Sequence, residues 1–248
     1  VARARRARRG RVMRAVIMAG GLGSRLAPLT TVLPKPLMPL TDRPIIDVIL
    51  RQLVAAGVEE VTVSVGHLGG LIESWVNHDN DYGIPVSFLY ETEPLGTAGA
   101  IGNLDRPQGT FLAMNGDILT TLEFADLARA HEESGAIATM AVKERSVAVE
   151  YGVVHTGATG HVERLEEKPM LRYTISMGIY AFDPRIVELI DPGERVDFPD
   201  LLLRAIDRGE TVGTYPFTGH WRDIGNRDDY EAAVAEFGEA PNRFLPGD

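Results

Sequence analysis

Apolar runs rich in valine and isoleucine alternate with amphipathic stretches through the first 145 residues. Residues 15–19, 61–65, 86–90, 111–114 and 137–142 read as strands, and most lack polar alternation, as strands covered on both faces should. Between them the 3.6-residue period takes over. Residues 44–56 predict a helix: Asp42 stands near its start, Pro44 fits its first turn, apolar side chains fall at 45, 46, 49, 50, 53 and 54, and Gly57 stops it. A second helix is predicted over 123–134, ended by Gly135. This alternation predicts an α/β fold, a doubly wound and mostly parallel sheet with helices on both faces. After Val142 short strands at 152–155, 161–166 and 175–182 follow one another, before helices return at 184–190, 198–208 and 226–237. That change predicts a smaller lobe over about 146–240 packed on a first half of about 13–145. The two form a single domain with no flexible linker, flanked by tails at 1–12 and 241–248.

Composition changes this picture in one respect. The 248 residues are 44% hydrophobic and 24% charged, ordinary for a globular protein. The net charge of −10, however, hides a split: residues 1–14 hold seven arginines and no acid, whereas the other 234 carry 18 basic and 35 acidic side chains. An acidic body argues against nucleic acid as a partner, because phosphate-backbone binding needs a dense positive footprint. The arginine-rich start reads as a disordered extension without a part in the core activity, with Met13 as a natural beginning. No apolar run approaches the ~18 residues a membrane span requires, so no membrane partner is expected. Absence of cysteine excludes disulfides and thiolate metal sites, and a cytoplasmic setting is the default.

The candidate chemistry begins in the stretch AVIMAGGLGSRLAPLTTVLPKPL, residues 15–37. A glycine-rich turn after a first strand lets backbone N–H groups approach an anion. Two familiar versions fail: no GxxxxGK[ST] string occurs, and a GxGxxG alignment on Gly21 and Gly23 meets Leu26 at its third glycine, with no acid in the ribose position. What remains is a flexible cradle with two cations, Arg25 and Lys35, on a loop stiffened by Pro28, Pro34, Pro36 and Pro39. Such a loop suits a triphosphate whose charge moves during reaction. In a doubly wound sheet ligands sit beyond the carboxyl ends of the strands, which places the 20–25 turn, the 91–99 loop and the Asn115-Gly116-Asp117 tripeptide along one edge.

The string Gly20-Gly21-Leu22-Gly23-Ser24-Arg25-Leu26 with Pro34-Lys35-Pro36 resembles the signature of the sugar-nucleotide pyrophosphorylases. These nucleotidyltransferases join a sugar 1-phosphate to a nucleoside triphosphate. The likeness continues in order through EPLGTAGAI (93–101), NGD (115–117), YGVV (151–154), EEKP (166–169) and WRDIG (221–225), and is greatest to the mannose-1-phosphate guanylyltransferases. The resemblance implies a Rossmann-like nucleotidyltransferase fold with a nucleotide-binding half and a sugar-phosphate-binding lobe. It implies that Asp117 and Asp223 hold Mg²⁺, and that Arg25, Lys35 and Lys168 are catalytic. Ala19, Gly20, Gly21, Gly23, Ser24, Glu91, Glu93, Gly96 and Thr97 would bind the nucleotide. Asn115, Gly116, Tyr151, Gly152, Glu167, Ser176 and Gly178 would bind the sugar phosphate.

The implied reaction is in-line attack of a sugar 1-phosphate oxygen on the α-phosphorus of the triphosphate, with no covalent enzyme intermediate. A carboxylate in the 91–97 loop accepts two parallel N–H donors, which favours guanine over uracil or thymine without settling the nucleotide. Ser176 departs from the family's usual asparagine, so the sugar is expected to be bulkier than mannose or differently substituted. Uridylyl or thymidylyl transfer and a non-catalytic regulatory homologue are the alternatives. A nucleotide-sugar-consuming glycosyltransferase fits less well, because such enzymes carry D-x-D where this chain has Asn115-Gly116-Asp117. The six histidines show no paired ligand spacing and read as structural or surface residues. No hexapeptide-repeat domain is expected after the 226–237 helix, and a homodimer is the expected assembly.

Overall fold

The computed structural model describes residues 13–78 and 82–245. The basic extension expected at 1–12 lies outside the described residues. Strands β1 (Arg14–Ala19), β2 (Glu60–Val65), β3 (Val86–Tyr90) and β4 (Phe111–Asn115) form the first half of a seven-stranded sheet. Short β5 (Ile118–Thr120) follows β4, and then come β6 (Ala138–Ala148), β7 (Val153–Thr156), β8 (Val162–Glu166), β9 (Met170–Phe182), β10 (Val212–Pro216) and β11 (Trp221–Asp223). The helices are α1 (Ile45–Ala55), α2 (Gly69–His78), α3 (Phe124–Ser134), α4 (Phe198–Asp207) and α5 (Arg227–Glu239).

Strand order is β10-β6-β9-β4-β1-β2-β3. Only β9 runs against its neighbours, pairing antiparallel with β4 and β6. The expected α/β architecture is therefore present, with parallel pairing through β1, β2, β3 and β4. Central β1 is buried along most of its length, and Ile17 is fully buried between Val63 and Met114 in register. Side chains of this kind each stabilise by about 1.5–3 kcal/mol on burial. One face of the sheet carries Ala15, Ile17 and Ala19 against α1, α2, α3 and α5. The opposite face carries Val16, Phe111 and Ala113 against α4 and the 3₁₀ turns at Gly99–Asn103 and Pro184–Leu189.

Several boundaries differ from expectation. The lobe drawn from residue 146 shares the central sheet: β9 lies between β4 and β6, and β10 adds an edge. What projects instead is an arm. β6 and β9 continue as an antiparallel pair to Ala148 and Met170, and the β7–β8 hairpin is attached to their ends. Where the sequence predicts a helix over 184–190, a six-residue 3₁₀ turn, Pro184–Leu189, forms instead, started by Asp183 and Pro184, with Ile190 already extended. β3 is an edge strand and half exposed, not covered on both faces. Residues 241–245 are no tail, because Phe244 and Leu245 are buried and the Gln52 side-chain amide donates to the Phe244 carbonyl at 2.8 Å. The structure adds helix α2, whose Leu71, Ile72, Trp75 and Val76 fall at helical spacing, and the short strands β5, β10 and β11.

Candidate active site

A cavity of about 580 Å³ opens at the carboxyl ends of β1 to β4. The glycine turn after β1 forms one wall. Gly23 adopts the left-handed conformation (φ 61°), and its carbonyl accepts from the Leu26 N–H at 2.9 Å and from the Thr30 hydroxyl at 2.8 Å. These bonds close a single 3₁₀ turn at Ser24–Leu26 that leaves Arg25 exposed at the cavity. Lys35 emerges from a second 3₁₀ turn at Lys35–Leu37, set by Pro34 and Pro36, and is 9% exposed.

Two aspartates face that loop. Asp117 lies in the tight connection between β4 and β5, where the Gly116 N–H donates to the Met18 carbonyl at 2.9 Å. Asp223 ends β11, which pairs antiparallel with β5 so that Asp223 stands opposite Ile118. The Ile224 N–H donates to the Asp117 carbonyl at 2.9 Å and locks the two segments together. Residues 106 positions apart in the chain thus share one corner. Lys35 donates to Asp117 Oδ2 in a short ion pair. Asp117 Oδ1 is buried and, among the described residues, accepts no hydrogen bond. Asp223 is held above the usual carboxylate range, first by loss of solvation and then by the Asp117 charge, with Lys35 and Arg25 opposing. Its side chain is exposed at the cavity, among the charges of Asp117, Lys35 and Arg25.

The far wall comes from the loop after β3. Glu91 ties three segments together: Oε1 accepts from the Ser64 hydroxyl at 2.6 Å, and Oε2 accepts from the Leu95 N–H at 3.0 Å. Its carboxylate also lies over Gly20, where a Cβ would stand 2.6 Å from Oε1. Gly96 (φ 78°) lies against the Val196 carbonyl, 2.6 Å from where its Cβ would be, so only glycine fits there. Thr97, also in the cavity wall, is tied to α4. Its N–H donates to Asp197 Oδ1 at 2.8 Å, and its hydroxyl oxygen accepts from the Phe198 N–H at 2.9 Å.

The cavity therefore brings together Ala19, Gly20, Gly21, Gly23, Ser24, Arg25, Lys35, Glu91, Glu93, Gly96, Thr97, Asn115, Gly116, Asp117 and Asp223. It does not include Tyr151, Gly152, Glu167, Lys168, Ser176 or Gly178. The first four belong to the exposed arm, where Gly152 packs beside Glu167. Ser176 bonds Tyr180 and the Gly178 N–H. Gly178 (φ 69°) lies against the Asn115 side chain, whose Nδ2 would be 2.5 Å from a Cβ there. Lys35, expected beside a triphosphate, is bound to Asp117. Sequence reasoning missed Gly66, His67 and Gly225 in the wall. The rule that ligands sit at strand carboxyl ends, applied to β2, would have found the first two.

The donor set fits a divalent cation with oxygen ligands. Two carboxylates converge, one of them with a buried unpaired oxygen, and no group of three or more His, Cys, Asp or Glu is assembled among the described residues. Mg²⁺ commonly takes one or two carboxylates and completes its shell with water and substrate phosphates. Charge balance points the same way. The wall carries four carboxylates, at Glu91, Glu93, Asp117 and Asp223, against the cations Arg25 and Lys35, so a polyanionic phosphate needs further positive charge.

The nucleotidyl transferase family model matches residues 14–239. A mannose-1-phosphate guanyltransferase of Yarrowia lipolytica is 34% identical over 230 residues, covering 88% of this chain and 62% of that protein. A UTP–glucose-1-phosphate uridylyltransferase of a Synechocystis species is 30% identical over 242 residues, covering 90% of this chain and 62% of that one. The chain thus spans about 62% of the length of these relatives. The crystal structure of HddC from Yersinia pseudotuberculosis, complexed with GMP-PN, superposes with a TM-score of 0.70 at 25% identity, covering 91% of this chain and 99% of that one. No helix among the described residues is long and apolar enough to cross a membrane. On the extent of the family match, and on a glycine turn, basic loop and aspartate pair at one sheet edge, this chain belongs to the nucleotidyl transferase family.

Proposed function

We propose that the protein transfers a nucleoside monophosphate from a nucleoside triphosphate, with GTP preferred, to a sugar 1-phosphate of the hexose or heptose class, releasing pyrophosphate. The observation that carries this reading is the corner where Asp117 and Asp223 meet the loop of Arg25 and Lys35. A sugar 1-phosphate oxygen forms a new bond to the α-phosphorus while the bond to the β-phosphate oxygen breaks, and pyrophosphate leaves with that electron pair.

The glycine turn supplies backbone N–H groups to the phosphates. Arg25, exposed over the cavity, neutralises charge gathering on the leaving pyrophosphate. Lys35 holds Asp117 and, from the cavity wall, would add positive charge for the same phosphates. Glu91 fixes the base loop to β2 and to the glycine turn, and Glu93 presents a carboxylate to N–H donors of the base. Asp117 and Asp223 would hold Mg²⁺, which when bound supplies charge neutralisation of the phosphates. Tyr151, Glu167 and Lys168 of the exposed arm would meet the sugar phosphate in this reading, as the sequence motifs that hold them suggest. Guanine is favoured by the guanyltransferase relatives and by a neighbour solved with GMP-PN. The uridylyltransferase relative keeps UTP as the second reading.

Pyrophosphate release with Mg²⁺ across four triphosphates and a panel of sugar 1-phosphates tests the reading. Release with GTP and one sugar is expected. Wild-type protein that binds nucleotide but releases no pyrophosphate with any sugar would favour a binding or regulatory homologue.

A further inference from the structure

Beyond the aspartates and the basic loop, the cavity wall holds one ionisable side chain without a role, His67. Strand order determines which end of the cavity it occupies. The loops after β3, β2, β1 and β4 stand side by side in that order, with Asp117 following β4. With the loop of Glu91 and Glu93 after β3 taken as the base loop, the nucleobase stands over the loops of β2 and β3, and the α-phosphate that carries the nucleoside reaches from there toward Asp117. His67 is in the β2 loop, between the glycine turn and the loop of Glu91 and Glu93.

The turn that carries it is tightly built. The Gly69 N–H donates to the Gly66 carbonyl at 3.0 Å, closing a four-residue turn with His67 and Leu68 at its corners. Leu68 adopts φ 59°, a conformation leucine seldom takes and one that persists only when the surroundings impose it. Gly66 abuts the glycine turn, and a Cβ there would stand 2.8 Å from the Gly20 carbonyl oxygen. The His67 side chain is exposed, and among the described residues its ring has no hydrogen-bond or ion-pair partner.

We propose that His67 is a specificity-determining residue whose imidazole N–H donates to N7 of a purine base, while the β3 loop presents carboxylates to N1–H and N2–H₂ of guanine. The assignment rests on the nucleotidyl-transfer reading. It is chemically selective: N7 is an acceptor that pyrimidines lack, and a donor on one side with an acceptor on the other matches guanine.

Calorimetric titration of the full chain with GTP, 7-deaza-GTP and UTP, in Mg²⁺ without sugar phosphate, tests it. Wild type is expected to bind GTP about fivefold more tightly than 7-deaza-GTP, the worth of one neutral hydrogen bond. His67→Ala loses that difference and leaves UTP affinity unchanged. His67→Phe, which keeps a ring but no donor, behaves as the alanine variant does. Equal losses for all three nucleotides, no loss at all, or rescue by phenylalanine would overturn the proposal. If wild type binds none of the three, the nucleotidyl-transfer reading falls and takes this proposal with it. If wild type binds and transfers from GTP while His67→Ala binds identically, only the role of His67 falls.

Discussion

At the scale of single residues the site depends on charges that are individually unfavourable and jointly balanced. Lys35 and Asp117 are both largely buried, so removing one partner leaves an uncompensated charge. Lys35→Met is expected to destabilise the protein by about 2 kcal/mol, below the usual range for fully buried pairs because Asp117 keeps some solvent. Lys35→Met combined with Asp117→Asn should recover most of that loss, since neither partner is then charged. Urea unfolding of the four proteins checks this, and a non-recovering double variant would show that the pair contributes by packing rather than charge. Asp117→Asn alone should abolish pyrophosphate release while the protein stays folded, because the buried Oδ1 position then no longer belongs to an anion. The type and place of Asp117 were legible in the sequence, at the end of an apolar strand. Its pairing with Lys35 was not, because the two are 82 positions apart and only the fold of the proline-rich loop brings them together.

At the scale of elements, the loop after β3 and α4 stabilise one another. The Thr97 hydroxyl oxygen caps the first N–H of α4, and Asp197 in turn accepts from Thr97. Thr97→Val keeps the shape and removes the cap, so a loss of about 1 kcal/mol is expected, together with weaker nucleotide binding of similar size for every base. A loss confined to guanine nucleotides would instead place Thr97 in base recognition. The α3–β6 packing carries a pH signature. His131 is buried against Thr139, and burial lowers its pKa despite the opposing charge of Asp183. The partly buried His220 is lowered likewise, loss of solvation again being the largest cause. A ring kept neutral in the folded state is protonated first in the unfolded state, so stability is full above about pH 6.5 and falls as pH drops below it. Thermal unfolding at pH 7.5 and 5.5 should show that fall, and His131→Gln should diminish it. An unchanged difference in that variant would move the effect to His220.

At the scale of the whole molecule, the arm of β6 and β9 with its β7–β8 hairpin is separate from the cavity wall. Lys168→Ala is therefore expected to leave nucleotide affinity unchanged and to raise the KM for sugar 1-phosphate about tenfold, the worth of one hydrogen bond or ion pair at ~1.4 kcal/mol. Initial-rate kinetics with each substrate varied separates the two, and an equal loss for nucleotide would show that the arm reaches the triphosphate. The sequence by itself determined the alternation of strands and helices, the glycine turn, Arg25, the place of Asp117 just after β4 and the acidic composition of the body, because each rests on local periodicity or on side-chain chemistry. Only the tertiary structure decided that β9 threads between β4 and β6, that β11 sets Asp223 beside Asp117, that Phe244 and Leu245 join the core, and that Lys168 and Tyr151 stand outside the cavity. Strand neighbours are chosen by long-range packing of whole faces, and residues such as Gly66 and His67 acquire a place in a site only once β2 lies beside β1.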